Sequence, residues 1–186
     1  MIAEETGKRI YTVDEYLELE KRSEVKHEFV DGILIEMPGE SKKANKVAGN
    51  IYFHLRLNLK GLPFDVYNHD VKLRTIPNRR YRYPDIMVVP ADDADDTHVV
   101  HKAVMTVEVT SENSSGVDHD EKFHEYVAMP SVDCYLIVSQ AEPLVEVYQR
   151  TGTKWEYAFY TDLTDSFDVT ALTITFTLRD IYEGVF

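Results

Sequence analysis

The chain of 186 residues lacks the features that mark a secreted or membrane-spanning protein. Its single cysteine, Cys134, has no second cysteine in the chain, which excludes an internal disulfide. No uncharged apolar run approaches the ~18–20 residues that a membrane span needs, and the first twenty residues are acidic and contain no apolar segment of a signal peptide. We therefore expect no membrane association and a cytoplasmic location.

Basic residues are also scarce. The chain has 20 Lys and Arg against 33 Asp and Glu, a formal net charge of −13. Because phosphate neutralisation supplies most of the affinity for nucleic acid, this balance argues against tight nonspecific DNA binding. The basic residues form two clusters, Arg74, Arg79, Arg80 and Arg82 before Pro84, and Lys42, Lys43 and Lys46 after Gly39. The sequence leaves open whether the two clusters meet in space.

Several motifs for other chemistries are absent from the sequence. It contains no Gly-rich phosphate loop, no Gly-x-Ser-x-Gly elbow and no dinucleotide-binding fingerprint. His98 and His101 are close enough in sequence to share a zinc ion, but no cysteine or third histidine stands at zinc-ligand spacing beside them. A structural zinc site at these histidines is therefore not expected.

What is present is a regular succession of helical and strand patterns. Thr12 followed by Glu15 predicts a capping box that opens a first helix, and Asp31-Gly32 between apolar residues predicts the turn of a β-hairpin. Further helices are predicted at about 42–59, 118–129 and 178–182, and further strands at 64–67, 71–76, 86–89, 103–109, 134–138, 144–149, 155–160 and 172–176. This order favours one α/β (α+β) domain over residues 1–186, with a mixed β-sheet flanked by helices.

Two carboxylates interrupt strands that are otherwise apolar. Asp85 follows Pro84 at the start of one strand, and Glu108 lies within the next. A carboxylate in a buried strand is costly unless it is paired or bound to a metal. Neighbouring strands would bring both into one cleft, where a hard cation such as Mg²⁺ takes oxygen ligands. The same pattern also fits an Asp85 that caps a turn and a Glu108 that pairs with an arginine.

The helix after Glu108 carries a second polar pattern. Asp118, Lys122 and Tyr126 are spaced by four and share one helical face. Such spacing usually means a solvated acid–base pair. Following the two carboxylates, it also fits a lysine that reaches the same cleft.

The combined order resembles the PD-(D/E)xK nuclease superfamily, and within it a large bacterial branch of restriction endonuclease-like proteins, mostly of unknown function. The likeness covers most of the chain, from Tyr11 to Tyr148. Six segments carry it: the opening helix at 11–17, His27-Glu28-Phe29-Val30-Asp31-Gly32, Pro84-Asp85, Glu108-Val109-Thr110-Ser111, Asp118-x3-Lys122-x3-Tyr126, and Tyr135-Leu136-Ile137-Val138.

The resemblance implies a restriction endonuclease-like core with a four-stranded mixed sheet and a metal-dependent site that hydrolyses phosphodiester bonds of nucleic acid, with DNA as the expected substrate. In that site Asp85 and Glu108 would hold Mg²⁺ or Mn²⁺, the backbone carbonyl of Val109 would add a ligand, and Lys122 would be the catalytic lysine. Three accessory residues are implied as well: Glu28 as an acid near the metal, Asp118 as the partner that orients Lys122, and Tyr126 packed beneath Lys122.

The chain departs from the family pattern at three places. The superfamily's lysine normally stands two residues after the glutamate, where this chain has Thr110, and Lys122 on the following helix resembles the alternative of this branch. Asn45 stands near the place of a histidine that the branch commonly has early in its second helix. Glu112-Asn113 replaces the usual Ser-Pro after Ser111, which affects a loop but not the metal ligands.

Two other functions remain compatible with the sequence. One is a non-catalytic binding or assembly module that retains the nuclease fold, because a fold does not fix a function. The other is a hydrolase of smaller phosphodiesters. A homodimer is a further expectation, since the aromatic residues of the C-terminal strands could form a dimer surface as well as a core: Tyr148, Trp155, Tyr157, Phe159 and Tyr160.

Overall fold

The computed structural model describes residues 9–91, 98–110 and 115–186, apart from the side chains of Ser115 and Asp118. In this part of the chain the helical segments are α1 (Val13–Glu20), α2 (Lys42–Asn58), α3 (Ser115–Val117), a π-helical turn (Asp118–Lys122), α4 (Phe123–Ala128), a 3-10 turn (Thr170–Leu172) and α5 (Leu178–Ile181). The strands are β1 (His27–Val30), β2 (Ile33–Glu36), β3 (Phe64–Asn68), β4 (Lys72–Ile76), β5 (Arg80–Arg82), β6 (Ile86–Pro90), β7 (Val99–Val100), β8 (Met105–Thr110), β9 (Cys134–Ser139), β10 (Val145–Thr151), β11 (Lys154–Tyr160), β12 (Ser166–Val169) and β13 (Ile174–Thr177). None of the helices described is both long enough and apolar enough to cross a membrane.

The central sheet has six strands in the order β11-β10-β9-β8-β6-β3. Strands β8 and β9 run parallel, whereas the other neighbouring pairs are antiparallel. The predicted mixed sheet is therefore confirmed. It has two more strands than the four that the resemblance implies, because the β10–β11 hairpin extends the sheet beyond β9.

Both faces of the central sheet are covered. On one face α2 packs with Val47, Ile51 and Leu55 against the β6 and β8 side chains, and the C-terminal hairpin β12–β13 with α5 completes this core. On the other face Tyr126 of α4 and Met129, which directly follows α4, belong to a second core cluster. Because side chains alternate along a strand, each strand of the sheet centre supplies both cores.

A second sheet, β2-β1-β5-β4-β7, lies beside the α4 face. Its core is a small aromatic cluster in which Tyr16 of α1 stacks on Phe29 at 5.0 Å between ring centroids. The helix that supplies Tyr16 begins as predicted, since the Thr12 side chain caps Glu15 and Glu15 reaches back to the Thr12 backbone.

The sequence patterns identified most elements but missed three strands. The sequence of strand β5, Arg-Tyr-Arg, indicates only a basic cluster. Strand β7 has two residues, and in β12 the alternation of apolar and polar residues is too short to indicate a strand. Leu172 was expected in the last strand, but it lies in the 3-10 turn. These short elements are fixed by their sheet partners rather than by local periodicity.

Candidate active site

Asp85 and Glu108 come from adjoining antiparallel strands. In the register of β6 and β8, Ile86 pairs with Val107, so one further step sets Asp85 opposite Glu108. Directly opposed residues of an antiparallel pair point to the same face of the sheet. That face is the one covered by α4, because Met87, two residues after Asp85, belongs to the α4 core cluster.

The Asp85 carboxylate is sheltered and has few partners. Its Oδ2 accepts a hydrogen bond of 2.6 Å from the Val109 backbone N–H, and its Oδ1 lies 3.8 Å from Nδ1 of His69. Burial raises the pKa of Asp85 to about 6, although the Val109 hydrogen bond and the charge of Lys122 act in the opposite direction. With this pKa the carboxylate is mostly ionised at pH 7 although burial disfavours its charge, so an added positive charge would stabilise it further.

Glu108 is buried and held from both sides by the helix that follows it. Its Oε2 accepts a hydrogen bond of 2.9 Å from Lys122 Nζ, and its Oε1 accepts one of 2.7 Å from the Tyr126 hydroxyl. Burial and the nearby Glu108 charge raise the pKa of Tyr126 well above its ordinary value, so the hydroxyl stays protonated as a donor. Lys122, which the sequence predicts to share a cleft with Asp85 and Glu108, therefore lies against Glu108.

A local change of helix geometry precedes this arrangement. The π-helical turn ends at Lys122, and α4 begins at Phe123. Lys122 and Tyr126 are four residues apart and so lie on one helical face. The interpretation of Lys122 as an exposed lysine on a solvated face is wrong, because only 9% of it is exposed. Tyr126 does not merely pack beneath Lys122, since it also donates directly to Glu108.

Glu28 of β1 lies next to the lysine. Its Oε1 is 3.5 Å from Lys122 Nζ, and its Oε2 accepts a hydrogen bond of 2.7 Å from Arg82. Glu28 is buried. The role of Glu28 as an accessory acid near a metal stays a prediction. The partners described for it are the cations Lys122 and Arg82 and the backbone N–H of Tyr83, at 3.4 Å. The Asp118 side chain and Ser111 lie outside the described residues.

Arg82 and Glu125 form a buried charge network behind the site that the sequence analysis missed. Arg82 is fully buried and donates to Glu28, to Glu125 at 2.5 Å and to Glu121 at 3.1 Å. Burial alone would raise the pKa of Glu125, but hydrogen bonds from Arg82 and Arg80 outweigh it and lower that pKa. The only signal in the sequence was the interpretation of Arg82 as part of a basic cluster, which did not indicate its partners.

The predicted arginine cluster is largely neutralised by carboxylates. Arg79 and Arg80 both bind Asp31 in the β1–β2 turn, at 2.6 and 2.8 Å, and Arg82 is paired with glutamates. Three of its four arginines thus balance acidic side chains of the same chain. This pairing adds to the net charge of −13 as an argument against a strong nonspecific DNA surface.

Glu40 and His69 are further residues that the sequence analysis did not select. Nδ1 of His69 is 2.6 Å from Oε1 of Glu40, and the His69 backbone N–H donates to the Asp85 carbonyl at 3.1 Å. The pairing of β3 with β6 explains this approach, since Asn68 pairs with Ile86. His69 is thus next to Asp85 although 16 residues separate them in the sequence.

Glu40, His69 and Asp85 line an open cavity of about 440 Å³ at the start of β6. Its wall includes Asn45, which stands near the place of a histidine in the branch that the sequence resembles. The imidazole at this cavity is supplied by His69 from a turn instead of by α2. The lining residues are Glu24, Val25, Lys26, Met37, Pro38, Gly39, Glu40, Asn45, His69, Tyr83 and Asp85.

Fold and sequence together define a class of protein, the restriction endonuclease-like superfamily. Residues 13–179 match the family Uma2, described as "Putative restriction endonuclease", and the chain belongs to this family. The fold is also similar to that of a crystal structure from Anabaena variabilis ATCC 29413, described as "a putative nuclease belonging to DUF820". That similarity has a TM-score of 0.77 at 16% identity and covers 94% of this chain and 99% of the other, and it concerns the fold alone.

Two proteins of Synechocystis sp. (strain ATCC 27184 / PCC 6803 / Kazusa) are similar over most of their lengths. "Uncharacterized protein sll1609" is 30% identical over 149 residues, which cover 78% of this chain and 84% of the relative. "Uncharacterized protein slr1290" is 26% identical over 174 residues, which cover 92% and 91%. The names of these two relatives assign no activity.

Proposed function

We propose that the protein is a Mg²⁺-dependent nuclease that hydrolyses phosphodiester bonds of nucleic acid, with DNA as the expected substrate. Asp85 and Glu108 would hold the ion, with Mn²⁺ as a substitute, and Lys122 would be the catalytic lysine. The observation that carries the proposal is the register of β6 and β8, which sets two carboxylates of apolar strands opposite each other, with Lys122 Nζ 2.9 Å from one of them.

The side chains at this position fit a hard divalent cation. Mg²⁺ is commonly bound through one or two carboxylates, with water and substrate phosphate as the remaining ligands. Val109 is the only residue of the described chain that donates a hydrogen bond to Asp85. Glu108 accepts one on each oxygen, and a carboxylate oxygen has two acceptor positions. A further ligand from the Val109 carbonyl stays a prediction.

The chain's own residues would divide the remaining work. The ion, when bound, would lower the pKa of a water molecule and neutralise charge on the phosphate. Lys122 would offset charge that develops on the scissile phosphate or orient the attacking water. Tyr126 and Glu28 would hold Glu108 and Lys122 in place through the contacts of 2.7 and 3.5 Å. We keep Asp118 as a proposed partner of Lys122.

One set of contacts favours the second candidate, a non-catalytic module that retains the fold. Both oxygens of Glu108 are engaged by its own chain, and Lys122 bridges Glu108 and Glu28. Such a closed set of charges would also stabilise a site that no longer binds an ion. The two functions differ in metal binding, because only the catalytic site requires it.

The test is cleavage by the purified chain in metal-free buffer after addition of Mg²⁺ or Mn²⁺. We expect cleavage of plasmid or single-stranded DNA that is lost on chelation and in Glu108→Gln, which keeps the shape of the side chain. Glu156→Gln on the exposed face of β11 is the matched control. Calorimetric Mg²⁺ binding without cleavage of any nucleic acid, but with cleavage of a chromogenic phosphodiester, would indicate the smaller substrate. Absence of metal binding would support the non-catalytic module.

A further inference from the structure

Three side chains that can bind a metal ion converge at Asp85 of the proposed magnesium site. Glu40 comes from the segment between β2 and α2, His69 from the turn between β3 and β4, and Asp85 from the start of β6. One ligand atom of each lies within 4.8 Å of the others. In the described part of the chain this is the one group of three or more His, Cys, Asp or Glu side chains with that property.

The separations are close to those of ligands around one ion. Nδ1 of His69 is 2.6 Å from Glu40 Oε1 and 3.8 Å from Asp85 Oδ1. With metal–ligand bonds of roughly 2.0–2.1 Å, two ligands at a tetrahedral angle stand about 3.3–3.4 Å apart. The first separation would have to widen and the second to shorten, each by less than about 1 Å. Rotation of the exposed Glu40 can supply the first change, and a small shift of the His69 ring or of the Asp85 carboxylate would supply the second.

The His69 Nδ1 contacts a Glu40 oxygen but makes no hydrogen bond of good geometry with it. Nδ1 of His69 is shielded from solvent and makes no hydrogen bond to the described residues, although a Glu40 oxygen is close. The ring is also held by an uncommon backbone, because His69 has a φ of 52°, a region that few non-glycine residues adopt. A buried nitrogen without a hydrogen bond, held in such a turn, calls for a further partner.

A second histidine–carboxylate pair in the same protein can be compared with Glu40 and His69. His27 and Glu20 also form a histidine–carboxylate pair, with Nδ1 hydrogen-bonded to Oε1 at 2.9 Å. That pair needs no third group to satisfy the nitrogen. Glu40 and His69 therefore differ from an ordinary pair of the same two residue types in this protein.

We propose that Glu40, His69 and Asp85 form a second cation site, which binds a first-row transition-metal dication of the zinc type in preference to Mg²⁺. Imidazole nitrogen and carboxylate oxygen are both Zn²⁺ ligands, and zinc sites with three protein ligands keep one open position. Mg²⁺ takes oxygen ligands instead, so the nitrogen discriminates against it. The proposal shares Asp85 with the proposed nuclease site but does not require cleavage activity.

The test uses Co²⁺ as a spectroscopic probe for Zn²⁺. Co²⁺ is titrated into the purified chain of 186 residues in metal-free buffer. Titration should give the visible bands of a single bound Co²⁺, which Zn²⁺ abolishes and an excess of Mg²⁺ does not. His69→Gln and Glu40→Gln should each weaken Co²⁺ and Zn²⁺ binding by about 100-fold or more, since even outer partners of metal ligands are worth about 10–100-fold. The matched control His27→Gln should retain wild-type affinity.

Glu108→Gln separates this inference from the proposed function. It should abolish cleavage while leaving Zn²⁺ affinity near the wild-type value. Zn²⁺ binding that is lost in Glu108→Gln but unchanged in both His69→Gln and Glu40→Gln would overturn the inference and leave the nuclease proposal standing. Conversely, zinc binding by these three residues in a chain without nuclease activity would support the inference and contradict the proposed function.

A measurement on the wild type covers the case in which the variants fail to fold. Crystals grown with Zn²⁺ and measured at the zinc absorption edge should show an anomalous peak at bonding distance from His69 Nδ1. A zinc peak only between Asp85 and Glu108, or no zinc bound to the protein, would overturn the inference.

Discussion

At the scale of single residues, Lys122 and Asp85 differ in how far neighbouring groups compensate their buried charges. Lys122 lies between Glu108 and Glu28, whereas Asp85 accepts one hydrogen bond from the described chain. A buried ion costs free energy unless a partner offsets it. The two residues therefore lead to opposite expectations when they are replaced.

For Lys122 we predict a loss of rate without a loss of metal. Lys122→Ala should lower turnover by about 100-fold or more, the usual effect of removing one well-placed electrostatic group. Metal affinity should stay the same or rise, because a positive charge has left a cation site. Steady-state cleavage and calorimetric Mn²⁺ binding measure the two effects, and the exposed Lys154→Ala is the control.

A rescue variant tests the same role from another position. Thr110 is buried and stands two residues after Glu108, where the superfamily normally has its lysine. Thr110→Lys in the Lys122→Ala background should recover part of the rate. Wild-type turnover from Lys122→Ala alone would remove the residue from catalysis.

For Asp85 we predict a stability change that depends on pH. Burial raises its pKa in the folded protein from 3.8 to about 6, so the folded state binds more protons than the unfolded state between these values. The Asp85 contribution to stability is therefore greatest below about pH 4 and falls as the pH rises through 6, by on the order of 2–3 kcal/mol.

Asp85→Asn should remove that fall while keeping the acceptor for the Val109 N–H. In metal-free buffer the variant should thus gain stability over the wild type as the pH increases from 4 to 7. Urea unfolding at both pH values measures the difference. An identical pH dependence in the two proteins, or a less stable variant at pH 7, would contradict the prediction.

At the scale of elements, strand β5 connects the second sheet to α4 through buried charges. Arg82 donates to Glu28 of β1 and to Glu125 of α4. This strand has only three residues, so its side-chain pairs contribute more to its position than its short backbone ladder. The orientation of α4, and with it Lys122, depends on these contacts.

We predict that Arg82→Met is strongly destabilising. It removes the cation that Glu28 and Glu125 share and leaves Glu28 with Lys122 and Glu125 with Arg80. Breaking a buried pair of this kind typically costs about 3–5 kcal/mol. Arg79→Met is the control, because Arg79 is exposed and pairs with Asp31 at the surface, where such pairs contribute about 0–1 kcal/mol. Urea denaturation measures both, and equal effects of the two substitutions would contradict a structural role of the network.

The same scale shows which elements could be predicted. The Thr12 cap, the Asp31-Gly32 turn and the apolar spacing of α2 act within a few residues, and all three elements form as expected. Strand β5 has no such local pattern, because its arginines become buried only through glutamates of other elements. Its prediction would have required knowledge of the tertiary contacts.

At the scale of the whole molecule, negative charge dominates. The net charge is −13, and Asp31 neutralises two of the clustered arginines. We predict that the chain binds duplex DNA without a divalent ion more weakly than about 10⁻⁴ M at physiological salt, the weak end of ordinary nonspecific binding. Fluorescence anisotropy with and without Ca²⁺ tests this, and micromolar affinity in chelator would contradict it.

The homodimer stays a prediction, and the exposed edge of the central sheet is the surface at which we expect it to form. Strand β11 is an edge of the six-stranded sheet, and its Tyr157 and Phe159 are 53% and 60% exposed. Exposed apolar edge strands tend to pair with another chain. If a dimer forms there, Phe159→Lys should raise the dissociation constant measured by sedimentation, whereas Phe53→Lys on α2 should not. A monomeric wild type at high concentration would refute the dimer.

The sequence by itself determined the order of the main elements and the candidate residues Asp85, Glu108 and Lys122, because helical periodicity, strand patterns and motif spacing are local properties. Only the tertiary structure decided which charges meet. Strand pairing brings His69 next to Asp85, and packing of α4 on the sheet buries Lys122 against Glu108. Burial and pairing depend on contacts between segments far apart in the chain, and these contacts set both the pKa of Asp85 and the partners of the arginines.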